Sequence, residues 1–277
     1  MSTLLRTPTS IVEKLSVFVT TYNNADTLER CLASVGWADE IVLLDSYSDD
    51  ATLEIAKRHG CEIFQHEFLG YGPQKQMALD KTSHRWVLLL DADEALSTEA
   101  QDEIRALLAN GPVADGYEIR RREQMFWQLA DPRSRMNFYL RLFDKSKGAI
   151  DDMPIHAAPK VNGSVQRLNA CFEHYGERDV HTKVEKINAY SSGLAAYKAK
   201  GRQRPNPWPM VFYPPLFFLR IYVLKRNFLN GWAGFIASVV SAFYAFLKYA
   251  KRYEHQRSAG TVVDSPPGPD KPGDADH

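Results

Sequence analysis

An α/β fold with a mostly parallel central sheet, flanked by helices and followed by a helical segment of different character, is the class the sequence predicts. Three observations predict it. In the first half, short apolar runs alternate with stretches of helical period, the signature of βαβ units. With 277 residues, 44% of them hydrophobic, the chain is long enough for one large core or for a core plus a smaller unit. Its formal charge of zero conceals an asymmetry, because residues 198–257 hold eleven Lys or Arg against one acid, Glu254.

The elements follow in order. "SVFVTTY" (16–22) reads as the first strand. In "DTLERCLASV", Leu28, Cys31, Leu32 and Val35 recur at i, i+3, i+4 and i+7, so a helix faces the sheet, with Asp26 and Glu29 at capping-box spacing. "EIVLLD" is the second strand, "DDATLEIAKRHG" a helix opened by acids and stopped by Gly60, and "CEIFQHE" a third strand. "PQKQMALDK" gives a short helix before the apolar strand "WVLLL", and "STEAQDEIRALLANG" another, with Thr98 and Gln101 at capping-box spacing and Gly111 past its end. Phe138 to Phe143 alternate as a strand does, and Asn162-Gly163 is a hairpin signal. Cys31, Cys61 and Cys171 are odd in number and lack metal-ligand spacing, so they read as reduced thiols. The N-terminus has no signal-peptide pattern, and the catalytic part is expected to stay in the cytoplasm.

Polar residues end the strands: Tyr22 and Asn23 the first, Asp45 the second, Asp91 and Asp93 "WVLLL". In an open parallel sheet, ligands bind outside the carboxyl ends of the strands, so these residues should line one crevice. Asp91 and Asp93, two apart in an extended chain, point to one side and repel unless a cation sits near them. The chain lacks G-x-G-x-x-G and G-x-x-x-x-G-K-[ST], the loops that cradle phosphates on backbone amides. A diphosphate held by Mg²⁺ or Mn²⁺ on one or two carboxylates is the alternative, and it accounts for the clustered acids.

The ordered set "FVTTYNN", "IVLLDSYSDDAT", "GYGPQKQMAL" and "WVLLLDADEALS" resembles the family 2 glycosyltransferases, nearest the lipopolysaccharide-core β-glucosyltransferase type, over roughly residues 14–200. The resemblance implies a GT-A, Rossmann-like fold, a nucleotide-sugar donor, usually UDP-linked, a divalent metal and inversion at the anomeric carbon. Carried over by position, Thr21, Tyr22 and Asn23 match the loop under the base, Asp45 the acid on the uracil, Asp91 the ribose-side acid and Asp93 the metal ligand. Lys75 sits where the family tends to place a basic residue near the donor. An inverting transfer also needs a carboxylate to take the acceptor proton. Related sequences often carry His-Glu where this one has His156 followed by Ala157, which leaves Asp151 and Asp152 as the nearest candidates, with Asp152 preferred. His174 with Tyr175 resembles the family's His-Tyr pair, which helps contact the diphosphate. His174 and His181 are expected to be hydrogen-bonded structural residues, since seven positions separate them and no acid has ligand spacing.

From residue 205 the character changes. Phe228–Leu247 is twenty residues without a charge, the length of a membrane helix, but cations stand at both ends. Aromatic-rich helices lying on the cytoplasmic leaflet, drawn by anionic inner-membrane lipids, are expected, with a single spanning helix at 228–247 as the alternative. The expected domains are a GT-A domain over 1–204, a basic, aromatic, membrane-associating helical region over 205–257 and a disordered tail over 258–277. The function expected is transfer of a sugar, glucose by resemblance, from a UDP-sugar to a membrane glycolipid such as lipopolysaccharide inner core, with no nucleic-acid partner. A nucleotidyltransferase would carry a Gly-rich basic loop where this chain has "TTYNNADT", and a non-catalytic glycan or membrane adaptor would not hydrolyse donor.

Overall fold

The structure, a computed structural model, describes residues 12–151, 157–198 and 206–258. The expected tail lies, beyond Ser258, outside the described residues. The chain divides into two compact units, Met1–Asp179 and Val180–His277, a boundary earlier than the 204/205 expected from the sequence.

The first unit opens with β1 (Leu15–Thr21), α1 (Ala25–Ala33), β2 (Glu40–Asp45), α2 (Thr52–Arg58), β3 (Glu62–Gln65), α3 (Tyr71–Lys81) and β4 (Trp86–Asp91). β3, β2, β1 and β4 pair in parallel in that order. Alternate residues of β1 serve two cores. Val17 and Val19 pack with Leu28, Cys31 and Leu32 of α1, whereas Phe18 packs with Val42 and Leu44 of β2 and with Ala78 and Leu79 of α3. Burial on both faces explains why these strands read as unbroken apolar runs.

Then come β5 (Glu94–Leu96), α4 (Thr98–Asn110), β6 (Gly116–Met125), β7 (Gln128–Leu129), β8 (Asn137–Asp144), β9 (Gly148–Ile150), β10 (Pro159–Val161) and β11 (Val165–His174). The sheet continues β4-β8-β6-β11-β5, with β7 on β6. β8 runs antiparallel to β4 and β6, β11 parallel to β6, and β5 antiparallel to β11, so the second half is mixed rather than parallel.

That order forces the sheet to curl. Four strand spacings of about 4.8 Å would put β5 roughly 19 Å from β4 in a flat sheet. Only Ala92 and Asp93 separate the two strands in the chain, a reach of about 11 Å. The far edge therefore folds back onto the end of β4.

Three local expectations are corrected. Ser97, not Thr98, caps α4, its Oγ accepting from the Ala100 amide at 3.2 Å. α1 begins after Asn24 without a side-chain cap, because the Asn24 side chain instead accepts from Thr21 Oγ1 and the Tyr22 amide, both at 3.1 Å. Asn162-Gly163 is not a hairpin turn, since β10 pairs with β9 and not with β11. A Cβ on Gly163 would run into the Asp115 carboxylate, which accepts from the Ser164 amide at 2.8 Å, so the glycine permits a close approach.

The second unit holds α5 (Val180–Lys198), α6 (Trp208–Leu219) continued by a π-helical turn (Arg220–Leu224), a 3₁₀ turn (Asn227–Asn230) and α7 (Gly231–Ser258). α7 packs on α5 and α6. Its Ala233, Gly234, Ala237 and Ser238 are buried, and Ser238 Oγ meets Asn227 Nδ2 at 3.3 Å, which satisfies polar groups at the turn. The stretch Asn227–Ser258 is apolar and long enough to cross a membrane by length and composition.

Candidate active site

The register brings the expected residues to one edge. Thr21 lies opposite Asp45 and Thr20 opposite Asp91 at the carboxyl ends of β1, β2 and β4. The loops after β1 and β2 are laced together: Thr21 O accepts from the Ser46 amide at 2.9 Å, Ser48 Oγ from the Asn23 amide at 2.9 Å, and Asn23 Oδ1 from the Asp49 amide at 3.0 Å. Asn23 and Tyr47 sit in the left-handed region at φ 51° and 62°, a strained geometry that this lacing holds. Asp45 is fully buried and accepts from the Ser48 amide at 2.9 Å, Ser48 Oγ at 2.5 Å and Gln65 Nε2 at 3.0 Å. Tyr22 is 59% exposed beside this braced platform.

Asp91 is held from two sides. Lys75, carried on α3 and nearly buried, places Nζ 2.6 Å from Oδ1, and Arg141 of β8 places Nη2 3.4 Å from Oδ2. The same Arg141 nitrogen lies 2.6 Å from Oε1 of the buried Glu94, whose Oε2 accepts from the Asp91 amide at 3.1 Å. A closed ring results, from the Asp91 amide through Glu94 and Arg141 back to the Asp91 carboxylate. Burial raises the Asp91 pKa, but Lys75 and Arg141 outweigh it and hold the group well below the usual carboxylate range. For Glu94 burial wins over Arg141 and pushes the carboxyl up to about 7.

The curl brings Asp93 against β11. His174 Nε2 lies 3.3 Å from Asp93 Oδ2, and its Nδ1 is 2.7 Å from Glu123 of β6, which Arg121 meets at 2.6 Å. Burial lowers the His174 pKa, but the bonds to Asp93 and Glu123 raise it further, to about 10. Glu123 fixes which ring nitrogen faces Asp93. A Cβ on Gly176 would lie 2.7 Å from the His174 ring and 3.2 Å from Asp93 Oδ2, so the glycine leaves open a cradle beside both groups. Among the described residues no three His, Cys, Asp or Glu side chains gather into a metal cage. Asp93, 29% exposed at its side chain, offers a carboxylate oxygen, and His174 would add a nitrogen on yielding its Nε2 proton, a set that would suit Mg²⁺ or Mn²⁺ beside a diphosphate.

Of the two proton-acceptor candidates, Asp152 lies outside the described residues, as does His156. Asp151 closes the loop between β9 and β10: its amide donates to Ala158 O at 3.0 Å, its Oδ1 accepts from the Ala158 amide at 2.9 Å, and Lys160 Nζ is 3.4 Å from Oδ2. His181, in the second unit, is 3.2 Å from Glu185 on an exposed helix turn. Arg141 and Glu123 were not expected at the site, whereas His174 is hydrogen-bonded as expected and stands at Asp93. One signal was present. Arg141 interrupts the alternating strand "NFYLRLFD", and a charge buried in an apolar strand requires a partner.

Residues 16–160 match the family model described as Glycosyl transferase family 2. The chain belongs to this family. A lipopolysaccharide core biosynthesis glycosyltransferase of Rhizobium meliloti, LpsC, is 32% identical over 90% of this chain and 96% of its own length. An uncharacterized glycosyltransferase of Rickettsia typhi is 30% identical over 92% of this chain and 91% of its own. Among solved structures, S. aureus TarS 1-349 in complex with UDP-GlcNAc is 16% identical, with a TM-score of 0.45 over 91% of this chain and 95% of that one. Mannosyltransferase PcManGT from Pyrobaculum calidifontis, in complex with GDP-Man and Mn²⁺, is 14% identical, with a TM-score of 0.48 over 87% of each chain. The glycosyltransferase is thus an enzyme on a GT-A fold whose central sheet is mixed and curled, with an apolar helix toward its C-terminus.

Proposed function

We propose that this glycosyltransferase moves glucose, with inversion, from a UDP-sugar to a membrane glycolipid such as lipopolysaccharide inner core, acting as a peripheral protein on the cytoplasmic face of the inner membrane. The observation that carries the reading is the Asp93–His174 corner, backed by Glu123 and kept open by Gly176, two positions along the chain from the Lys75–Asp91 pair. The named role of LpsC in lipopolysaccharide core biosynthesis supports the acceptor class.

Thr21, Tyr22 and Asn23 form the floor for the base, and Asp45, buried and bonded to Ser48 and Gln65, fixes the neighbouring loop and reaches the uracil edge once one of those bonds gives way. Asp91, kept ionised by Lys75 and Arg141, receives the ribose hydroxyls. Asp93 and His174 hold the divalent ion, which when bound offsets the negative charge growing on the departing diphosphate. The acceptor hydroxyl attacks the anomeric carbon from the face opposite the diphosphate, the bond to the diphosphate breaks, and Asp152 takes the hydroxyl proton. Asp151 is the alternative acceptor of that proton; its bonds to Ala158 favour a role in shaping the loop. Donor and acceptor are handled by the first unit, and the region from Pro205 to Arg257 attaches the enzyme to lipid.

The test is incubation of the purified chain and Mn²⁺ with detergent-solubilised core glycolipid and a panel of labelled nucleotide sugars. Transfer from UDP-glucose, lost with chelator, is expected. Absence of transfer and of donor hydrolysis across the panel overturns the reading.

A further inference from the structure

We infer that the α6–α7 hairpin lies flat in one leaflet of an anionic bilayer, one aromatic face sunk among the acyl chains, and does not cross it. The inference rests on the proposed action at a membrane glycolipid and specifies the surface and lipid charge involved.

The two helices run antiparallel. Tyr213 packs on Tyr249 near one end, while Tyr222 meets Phe228 at the turn. On α6 the exposed Trp208, Phe212 and Leu216 recur every four residues, which is one stripe of a helix. On α7 and the turn before it, the exposed Phe228, Trp232, Phe235 and Val239 follow at intervals of four, three and four, again one stripe, with Trp232 76% exposed. The stripes join through Phe235, whose ring stands edge-on to Phe218 and Tyr222 at 5.9 Å. The other side of α7 is small and partly polar, with Ala233, Gly234, Ala237 and Ser238 packed inside the unit. Aromatic residues exposed on one side only are what an in-plane helix presents to lipid.

Charge selects the partner and the orientation. Residues 206–258 contain seven Lys or Arg and one acid. Arg220, Lys225 and Arg226 stand at the turn, and Lys248, Lys251 and Arg252 at the opposite end of the hairpin. A spanning arrangement would carry α6 across together with α7 and deliver the three turn cations to the far side, against the bias that keeps such clusters on the cytoplasmic side. Flat on the leaflet, both clusters stay at headgroup level, where anionic lipids attract them. A second copy of this chain would have to cover the same apolar face with a surface bearing the same cations at both ends.

Co-sedimentation of the full chain with vesicles tests this. Vesicles containing phosphatidylglycerol should bind at least about tenfold more protein than pure phosphatidylcholine at low salt, and 1 M salt should release most of it. L216D/W232D, altered at two exposed positions, should keep its thermal unfolding temperature and donor hydrolysis and lose vesicle binding. A K225C variant labelled with a membrane-impermeant maleimide should react from outside the vesicle. Protection of that position means a spanning hairpin and overturns the inference. Dimers that dissociate in L216D/W232D without any vesicle binding mean that a second copy covers the face, and likewise overturn it. If vesicles are ignored yet solubilised glycolipid still accepts sugar, this inference fails and the proposed function stands. Vesicle binding without transfer gives the reverse.

Discussion

Asp93 and Gly176 beside it make different predictions about the same corner. Asp93→Ala removes the carboxylate itself, and turnover is expected to fall roughly a hundredfold or more while the circular dichroism spectrum is unchanged. Near-normal turnover removes Asp93 from the site. Gly176→Ala leaves every ligand in place but puts a methyl group 2.7 Å from the His174 ring. Mn²⁺ affinity, read by titration calorimetry with UDP present, is expected to drop about 10- to 100-fold, with little change in stability. An unaltered affinity would show that the ion sits elsewhere. Arg141 makes the third case, because its guanidinium holds both Asp91 and the buried Glu94. Arg141→Met leaves Glu94 buried beside a lost partner and should cost about 3–5 kcal/mol in urea unfolding. Adding Glu94→Gln should recover part of that stability but not activity, since the Asp91 carboxylate stays unsupported. Recovery of both together would mean that the ring is only structural.

Among the elements, α3 and the β9–β10 hairpin show how backbone and side chain share the work. α3 delivers Lys75 to Asp91, and its next residue, Gln76, accepts from the Ile150 amide at 2.8 Å, so one helix ties the donor edge to the strand leading into the Asp151 loop. Asp151 then closes that loop on Ala158. Asp152→Asn keeps size and cannot accept a proton, so turnover should fall at least about a hundredfold while UDP binding survives. Asp151→Asn should lower stability with a smaller loss of turnover. The opposite pattern, Asp151→Asn inactive and Asp152→Asn active, exchanges the two roles.

At the scale of the molecule the boundary between the units decides how the chain can be cut. α5 packs on α7, where Lys251 Nζ donates to Asn188 O and Ser192 Oγ at 2.8 and 2.7 Å. A chain ending at residue 204 keeps α5 without that partner and exposes its packed face. A chain ending at Asp179 retains Asp93, His174 and Gly176 and ends where the first compact unit ends. The shorter chain is expected to elute as the better-behaved monomer by size exclusion and to hydrolyse donor, yet to transfer poorly to lipid. Greater solubility of the 1–204 chain would count against the division at Asp179.

The sequence by itself determined the alternation of strands and helices through β4, because hydrophobic period and terminating glycines such as Gly60 and Gly111 are local properties of the chain. It also determined the edge at which Thr21, Asp45 and Asp91 meet, since parallel strands of similar length end together. The basic, aromatic character of the C-terminal segment was equally plain from composition. Only the tertiary structure decided which residues complete the site. Glu123, Arg141 and His174 lie between 30 and 81 positions from Asp93 in sequence and reach it because β8, β6 and β11 separate β4 from β5 in a sheet that must curl to let two residues bridge them. No local pattern encodes that closure. The same holds for α5, whose helical period is visible in sequence while its partner, α7, is fixed by packing some sixty residues away.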